Sequence, residues 1–543
     1  MKLIHKTKSL CPECKALIDA RIYDKEGELF IVKNCPEHGR FVDKYFDKKT
    51  YSKFIRYAYD GPGMITLNVE NAGESCPMDC GLCARHKSHT ALANIVLTNR
   101  CHLHCFYCFF YARENDPIYE PSLKQIKEML KVLREQQPVP CNAVQYTGGE
   151  PLLRDDILDI IKLTKEMGFE HIQLNTTGMQ LVGNEALADQ LAAAGVTAFY
   201  MSFDGISPQT NPKNHYEIPY ILKALRRSKE NVVLVPTVIN NFNDHEVGDI
   251  INFGFNNLDI VRSINFQPVS LVGRMPKSER EKQRITIPEL LDKIEKQTNG
   301  MIKKEDFYPI PCVGSISEFI EQLTGYVQYH FSTHPVCGAG TYIFLEGDEI
   351  VPVTRFVDVE GFFEYLKDAA EEIKKSRHLI KEIKKKEVIL KFVLNFNKFI
   401  DKEKAPKTVD INSLIKDALI SHNYEGVGKF HSNSLFIGTM HFQDLYNYDV
   451  ERVERCCIHY IMPDHRVVPF CAFNVIPEIY RDKVQREYST PFKEWIKKNK
   501  VKLEEWQYKR DVEKLVSGGE YKKTYSLIDY FNGGEKIKEI NEK

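Results

Sequence analysis

Residues 94–108 read NIVLTNRCHLHCFYC, an apolar, strand-like run followed by Cys101, Cys105 and Cys108. Iron–sulfur clusters in proteins are normally closed by four cysteine thiolates. Three thiolates in a Cys-x3-Cys-x2-Cys loop hold three irons of a four-iron cluster, which leaves the fourth iron open to a small molecule. The loop therefore predicts an iron–sulfur cluster that also binds a ligand.

A second strand-like run ends in a glycine turn. Residues 143–151 read AVQYTGGEP, and Gly148 and Gly149 let the backbone approach a ligand because they have no Cβ atom. A three-cysteine loop and a GGEP turn after successive strands closely resemble the radical S-adenosylmethionine (SAM) enzymes. The resemblance implies that SAM chelates the open iron and that a 5′-deoxyadenosyl radical abstracts hydrogen from an unactivated C–H bond.

The same resemblance suggests roles for residues at the strand ends. Tyr107 would pack on the adenine, Glu150 would bond the methionyl ammonium, and Ser202 and Asp204 would contact the ribose and the carboxylate. The predicted SAM contacts are Tyr107, Thr147, Gly148, Gly149, Glu150, Asn175, Ser202, Asp204 and Thr237. Helix capping is the alternative role for Ser, Asn and Asp at such positions. Arg274 is a further candidate, as an anion contact or a surface residue.

Length, composition and charge limit the class of protein. A chain of 543 residues with 43% hydrophobic and 27% charged residues fits a soluble globular protein of two to four domains. A net charge of −1 gives no argument for nucleic acid as a partner. The sequence contains no apolar run long enough to span a bilayer. Fifteen cysteines without a secretory signal favour metal ligation over disulfides and predict a cytoplasmic enzyme.

Strands and helices alternate between residues 94 and 305. The predicted strands are 94–98, 143–148, 171–176, 198–203, 232–239 and 263–269. After Ser122, a plausible N-cap, Leu123, Ile126 and Leu130 recur with the period of a helix. This pattern predicts an α/β fold with a partial (β/α)6 TIM-like barrel, whose active site lies at the carboxyl ends of the strands.

A small metal module precedes this core. Two cysteine knuckles, CPEC and CPEH, offer the ligands Cys11, Cys14, Cys35 and His38 with the spacing of a zinc ribbon or rubredoxin. The ligand set accommodates either zinc or iron at a mononuclear site. A purely structural role is the alternative to a redox role.

The remaining cysteines predict auxiliary clusters. A second Cys-x3-Cys-x2-Cys motif lies at residues 76–83, but residues 101–108 are the better SAM loop because they follow a strand and precede GGEP. Cys141 reads as a small buried hydrophobe. The predicted auxiliary ligands are Cys76, Cys80, Cys83, Cys312, Cys337, Cys456, Cys457 and Cys471. Eight cysteines suffice for two [4Fe–4S] clusters, one cluster is the alternative, and His459 is a possible substitute ligand.

These features divide the chain into four predicted parts. They are a rubredoxin or zinc-ribbon-like module (1–60), an auxiliary-cluster segment (61–93), the radical SAM barrel (94–305) and a C-terminal α+β auxiliary-cluster and substrate domain (306–543). Within the last part, residues 384–400 combine an apolar face with a run of lysines. They suit an interfacial membrane helix, a core helix or the lining of a substrate tunnel.

The complete set of motifs is more specific than the cysteine loop alone. CPEC and CPEH, then CPMDCGLC, CHLHCFYC and the late cysteines, resemble the archaeal tetraether lipid synthases and their homologues that methylate 7,8-dihydro-6-hydroxymethylpterin. The resemblance implies sp3–sp3 coupling of isoprenoid chains in an archaeal diether lipid, at a cost of two SAM molecules per bond. An electron donor such as ferredoxin or flavodoxin and a peripheral membrane contact are further implications.

Two other functions use the same cysteines. Methylation of the dihydropterin in methanopterin biosynthesis is the first alternative, since it also needs radical chemistry. A non-catalytic, multi-cluster electron-transfer scaffold is the second. The GGEP turn beside an open three-cysteine loop argues against the scaffold, because an electron carrier has no need of a SAM pocket.

Overall fold

The computed structural model describes most of the chain. The described residues are 1–64, 75–108, 110, 116–273, 275, 277–377, 380–407, 434–500 and 508–536. Arg274 lies outside them.

The amino-terminal module is a four-stranded antiparallel sheet in the order β1-β2-β3-β4. Its strands are β1 (Lys2–Leu10), β2 (Leu17–Lys25), β3 (Glu28–Cys35) and β4 (Gly39–Asp47). Buried and exposed side chains alternate along β2, as expected for a sheet with one face on a core. Both cysteine knuckles occupy the turns at one end of this sheet.

The other elements follow in chain order. The strands are β5 (Leu92–Thr98), β6 (Ile118–Tyr119), β7 (Ala143–Gly148), β8 (His171–Thr176), β9 (Ala198–Ser202), β10 (Val232–Val235), β11 (Thr237–Val238), β12 (Val261–Pro268), β13 (Tyr308–Pro309), β14 (Gly338–Glu346), β15 (Glu349–Pro352), β16 (Ser434–Met440), β17 (Ile458–Ile461), β18 (Val467–Pro469), β19 (Ser489–Thr490), β20 (Ile528–Asp529) and β21 (Glu535–Lys536). The α-helices are α1 (Lys48–Phe54), α2 (Leu123–Arg134), α3 (Ile157–Glu166), α4 (Glu185–Ala194), α5 (Ile218–Ser228), α6 (Val247–Asn256), α7 (Arg280–Gln283), α8 (Ile287–Gln297), α9 (Gly314–Thr324), α10 (Val359–Lys374), α11 (Lys381–Asn395), α12 (Val450–Glu454), α13 (Phe470–Val475), α14 (Arg481–Tyr488), α15 (Phe492–Asn499), α16 (Val512–Ser517) and α17 (Gly519–Tyr525).

The predicted parallel core is confirmed. Strands β5, β7, β8, β9, β10 and β12 are neighbours in that order and pair in parallel. The predicted fifth strand, residues 232–239, is interrupted at Pro236, which has no N–H to donate to a neighbour. Helix α2 begins at the predicted cap, where Ser122 and Gln125 form a capping box.

The carboxyl-terminal part of the chain extends this sheet at both edges. Strand β16 pairs in parallel with β12, and β17 pairs in parallel with β5. Antiparallel strands β14 and β18 lie outside them. The predicted division at residue 305 stays a prediction, and the main sheet continues across it.

Helices α9, α10 and α11 form a satellite cluster beside the sheet. Its buried side chains are Phe319, Leu366, Ala369, Ala370, Ile373, Val388 and Phe392. None of the helices in the described part of the chain combines the length and apolar composition needed to cross a bilayer.

Candidate active site

The GGEP turn lies against the start of the cysteine loop. The N–H of Gly149 donates to the Thr98 carbonyl (2.8 Å), and that of Glu150 donates to the Arg100 carbonyl (2.7 Å). A Cβ atom on Gly149 would lie 2.0 Å from the Arg100 oxygen, and Gly148 has a φ of +129°. The two glycines therefore allow a close approach between this turn and the backbone that leads into Cys101.

Glu150 holds the neighbouring strand end in place. Its Oε1 accepts hydrogen bonds from Thr176 Oγ1 (2.6 Å) and Leu152 N (3.1 Å). Its Oε2 accepts from the N–H (2.8 Å) and hydroxyl (2.7 Å) of Thr177. The side chain is fully buried. The three bonds from Thr176 and Thr177 tie the ends of β7 and β8 together. The predicted bond of Glu150 to the methionyl ammonium remains a prediction.

A cavity of about 430 Å³ borders the cysteine loop and the carboxyl ends of the parallel strands. This volume is typical of a small-molecule site. The predicted residues that line it are Cys101, Cys105, Tyr107, Cys108, Thr147, Gly148, Gly149, Asn175, Ser202 and Thr237. Glu150 and Asp204 are not among the residues that line the cavity, and their side chains are fully or almost fully buried. The fold therefore brings most of the predicted cofactor contacts to one cavity.

The three cysteines of the loop also fit a metal cluster. Burial raises the pKa of Cys108 to about 11, and the nearby Cys105 adds to the rise. Burial, the charge of Glu150 and the other two thiols raise the pKa of Cys101 as well. Cysteine binds metals as a thiolate, so iron would supply the positive charge that this buried group lacks.

Lys213 is a cavity residue that the sequence motifs did not indicate. Its buried ammonium pairs with Asp204 Oδ2 (2.9 Å) and donates to Ser202 Oγ (3.1 Å). It also lies 5.2 Å from the centroid of the Tyr107 ring. Asp204 accepts from the Tyr107 hydroxyl and from Thr237 N (3.0 Å). The Lys213–Asp204 pair thus joins the cysteine loop to the end of β9 and the start of β11.

The charge of Lys213 is stable in this environment. Burial lowers the pKa of its ammonium, but the carboxylate of Asp204 and the thiols of Cys105 and Cys108 raise it above its ordinary value. Lys213 lines the cavity and Asp204 does not, so the positive member of this ion pair faces the cavity.

A second polar set was also missed. The carboxamide belt, defined as Asn94, Gln145, Gln173, Asn265 and Gln267, lines the same cavity from four parallel strands. Gln145 Nε2 donates to Asn94 Oδ1 (2.7 Å), and Gln267 Nε2 donates to the Tyr200 hydroxyl (3.1 Å). The sequence did contain a signal for these residues, namely polar side chains at alternate positions of otherwise apolar strands. Alternate side chains of a strand lie on the same face, so such residues can line one cavity together.

The four predicted ligands of the amino-terminal module converge. The ligand atoms of Cys11, Cys14, Cys35 and His38 all lie within 4.8 Å of one another. The Cys14 and Cys35 sulfurs are 3.8 Å apart, and His38 Nδ1 is 3.5 Å from Cys35 Sγ. A tetrahedral site with metal–sulfur bonds of about 2.3 Å has sulfur separations of about 3.8 Å. The residues therefore fit one mononuclear metal ion.

The auxiliary cysteines fall into two groups and one outlier. The front group is Cys76, Cys80 and Cys83, around a small cavity that also includes His86 and Pro469. The late group is Cys337, Cys456, Cys457 and Cys471. Burial, and then the charge of other thiols in this group, raise the pKa values of Cys456, Cys457 and Cys471. Both Cys456 and Cys457 belong to the late group, and their ligand roles stay predictions.

Buried donors surround the late group. Among the described residues, the Tyr448 hydroxyl, Gln443 Nε2 and His441 Nε2 are buried without a hydrogen-bond partner. Tyr448 lies near Cys80 and Cys471, whose charges follow burial among the causes that raise its pKa. The sulfides of an iron–sulfur cluster would accept hydrogen bonds from such donors, so the residues present fit an auxiliary cluster. Arg452 donates from Nε to Cys337 Sγ (3.2 Å).

Cys312 lies in another environment. It lines a second cavity of about 680 Å³ together with Tyr57 and Tyr59, and burial raises the pKa of its thiol to about 12. The structure does not bring it into either cysteine group, so its predicted ligand role gains no support. His459, the proposed substitute ligand, has both ring nitrogens in contact with Thr90 Oγ1 (2.9 Å) and His86 Nε2 (3.0 Å).

Two family profiles agree with this arrangement. The profile of the Radical SAM superfamily matches residues 95–254, and that of the HMPTM N-terminal zinc ribbon domain matches residues 3–47. The 7,8-dihydro-6-hydroxymethylpterin dimethyltransferase of Methanocaldococcus jannaschii is 43% identical over 91% of this chain and 98% of its own. A probable GTP 3′,8-cyclase of Saccharolobus solfataricus is 31% identical over 40% of this chain and 68% of its own. Among solved structures, the [FeFe]-hydrogenase maturase HydG gives a TM-score of 0.30 at 14% identity, over 38% of this chain and 50% of its own.

A partial parallel barrel with an open three-cysteine loop at its strand ends defines a radical SAM enzyme. The chain belongs to this superfamily and, within it, to the family of the Methanocaldococcus jannaschii dimethyltransferase. Its cofactors include a [4Fe–4S] cluster and SAM, and the ribbon supplies a further metal site. The comparisons do not show a tetraether lipid synthase.

Replacing Lys213 with methionine is expected to weaken SAM binding at least tenfold, because the cavity loses its fixed positive charge. It also leaves the buried Asp204 carboxylate unpaired, which costs about 3–5 kcal/mol of unfolding free energy. The K213M/D204N double variant separates the two effects: we expect it to regain stability without regaining affinity. Equilibrium dialysis with labelled SAM and denaturant unfolding measure them. Wild-type affinity in the stable double variant would contradict a role for this charge.

Proposed function

We propose that this enzyme transfers methyl groups to 7,8-dihydro-6-hydroxymethylpterin. The observation that carries the proposal is the 43% identity to a named dimethyltransferase of this pterin, over nearly the whole length of both chains. The carboxamide belt supports it, because a pterin ring carries several hydrogen-bond donors and acceptors that amide side chains can match.

The chain's own residues have separate tasks in this proposal. The loop cysteines would hold the cluster, and the cavity residues at the carboxyl ends of β7, β8 and β9, with Thr237, would contact SAM. Once bound, the cluster and SAM provide the radical chemistry that side chains cannot perform. The belt orients the pterin so that the reacting carbon lies near the cofactor, which is how positioning accelerates a reaction. The auxiliary cysteines would hold further clusters, and a ferredoxin or flavodoxin would supply electrons.

Coupling of isoprenoid chains is a second candidate, favoured by one feature of the same cavity. The same cavity also has apolar lining residues, namely Ile310, Phe436, Met440, Phe442, Ile458, Tyr460 and Phe470. Phe442 and Phe470 stack with ring centroids 3.9 Å apart. Such a lining suits a hydrocarbon chain better than a pterin, and a lipid substrate would place the enzyme beside a membrane.

Anaerobic product analysis distinguishes the two candidates. The reduced, reconstituted enzyme is incubated with SAM and either the dihydropterin or an archaeal diether lipid, and products are identified by mass spectrometry. We expect the pterin to gain one CH2 unit for each methyl group transferred. Loss of two hydrogen atoms per new bond in the lipid, with an unchanged pterin, would replace the first candidate by the second.

A belt variant adds a control to this experiment. Gln267→Leu keeps the side-chain volume but removes the amide, and we expect kcat/KM for the pterin to fall at least tenfold. Formation of 5′-deoxyadenosine without substrate should stay unchanged, because the substitution spares the cysteine loop. An unchanged kcat/KM for the pterin would remove the belt from substrate binding.

A further inference from the structure

Helix α11 carries an apolar stripe that faces solvent. Ile383, Leu390 and Leu394 lie on one side of the helix, and their exposed fractions are 69%, 61% and 68%. Most large aliphatic side chains of a folded domain are buried, so three on one helical face form an unusual surface. The stripe spans about 16 Å along the axis at 1.5 Å per residue.

The opposite side of α11 is already used for packing. Val388 and Phe392 are buried against α9 and α10, and the Phe392 ring stacks on that of Phe319 with centroids 5.6 Å apart. The satellite cluster therefore fixes the rotation of the helix and directs the stripe outward. Ile383, Leu390 and Leu394 are therefore not needed for the packing of α11 against α9 and α10.

The charges beside the stripe are mainly positive. Between Lys381 and Asn395 the helix has five lysines and two glutamates. Lys386 and Lys391 are among the exposed residues that border the stripe. Glu387 pairs with Lys391 (2.7 Å) and Lys384 (3.1 Å), Glu382 pairs with Lys385 (2.8 Å), and Glu372 of α10 also pairs with Lys384 and Lys391. Exposed ion pairs of this kind are weak and exchange readily. Five lysines against three glutamates (Glu372, Glu382 and Glu387) leave an excess of positive charge along the helix.

We propose that α11 docks this enzyme on an anionic lipid surface, with the stripe inserted at the boundary between headgroups and acyl chains. A helix with an apolar face and lysines at its sides, lying in the plane of the interface, has the composition of peripheral membrane helices. Lysines close to such a surface add electrostatic attraction to the apolar contact. The proposal concerns a surface outside the active-site cavity and holds for either candidate substrate.

Vesicle flotation with the full-length protein tests the proposal. The vesicles are phosphatidylcholine alone, or phosphatidylcholine with about one third phosphatidylglycerol, a fraction that gives the anionic surface required. We expect the wild type to float with the anionic vesicles and to bind them at least tenfold more tightly than the neutral ones. High salt should weaken this binding, because screening removes the electrostatic part.

Two triple variants make the test specific. I383Q/L390Q/L394Q removes the stripe, and we expect its affinity for anionic vesicles to fall at least tenfold. L3Q/V42Q/V512Q changes three other exposed aliphatic residues, with exposed fractions of 41%, 42% and 40%, and should bind like the wild type. Circular dichroism checks that both remain folded.

Several results would overturn the proposal. One is equal flotation of the two triple variants, and another is a wild type that does not float with anionic vesicles. A wild type that instead forms dimers, which the stripe variant does not form, would assign the surface to a second copy of the chain. The assay contains neither SAM nor substrate, so its failure is independent of a failure of the proposed methyl transfer.

Discussion

The Cys105→Ala variant is expected to form no detectable 5′-deoxyadenosine from SAM under reducing conditions. Cys105 is the central residue of the three-cysteine loop, and the two remaining thiolates cannot hold a cluster that keeps one iron open. Loss of the cluster should lower the iron content by roughly four atoms per chain. Mass spectrometry of the nucleoside and iron analysis of the reconstituted protein measure the two effects.

Two further cysteines make this experiment decisive. Cys141 is fully buried and donates from Sγ to the Ala143 carbonyl (3.2 Å), apart from both cysteine groups, so Cys141→Ala should retain cleavage. Cys80→Ala alters the front group, which repeats the Cys-x3-Cys-x2-Cys spacing. If Cys80→Ala abolished cleavage while Cys105→Ala retained it, the front group would be the SAM loop.

The Gly149→Ala variant should lose about a hundredfold in the rate of SAM cleavage while keeping its cysteines. The added methyl group would lie 2.0 Å from the Arg100 oxygen and 2.6 Å from the Arg100 carbonyl carbon. Both are backbone atoms, so no side-chain rotation relieves the contact, and the turn must move away from the cysteine loop. Displacement of about 1 Å at a reacting centre costs about this factor. Overpacking also lowers the free energy of unfolding by about 1–3 kcal/mol.

Gly519→Ala is the matched control, because a Cβ atom there meets open space at the start of α17. It should leave both the cleavage rate and the unfolding free energy unchanged. Rates of 5′-deoxyadenosine formation and denaturant unfolding curves compare the two variants. A Gly149→Ala enzyme with the wild-type rate would show that the contact between turn and loop is not needed for cleavage.

The sequence predicted the centre of the molecule because its signals are local. Strand β5, the cysteine loop, β7 and the GGEP turn each carry their own pattern of apolar residues, cysteines or glycines. Parallel pairing of β5 with β7 then brings loop and turn to the same edge. The four ligands of the ribbon were likewise predictable from two knuckles, and their ligand atoms converge.

Other parts of the site depend on contacts between distant segments. Lys213 lies in a polar loop after β9, and only the fold shows that it meets Tyr107 and Asp204. The late cysteines are brought together by the fold, in which Cys337 lies near Cys471. The spacing of these cysteines in the sequence does not show that they are neighbours. Cys312 was predicted together with these cysteines but lies in a different cavity. The number and spacing of the cysteines therefore do not show which of them lie together.

Strands contributed by the last third of the chain close both flanks of the main sheet, and this has a consequence for how the protein folds. Residues 92–94 find their partner at residues 458–460, so one flank of the core stays unpaired until almost the whole polypeptide has left the ribosome. Contacts between such distant segments slow folding, because a long loop must be closed before they form. Unpaired strands are also prone to aggregate. A fragment ending after residue 305 should thus be poorly soluble, and recombinant work on this enzyme requires the full-length chain.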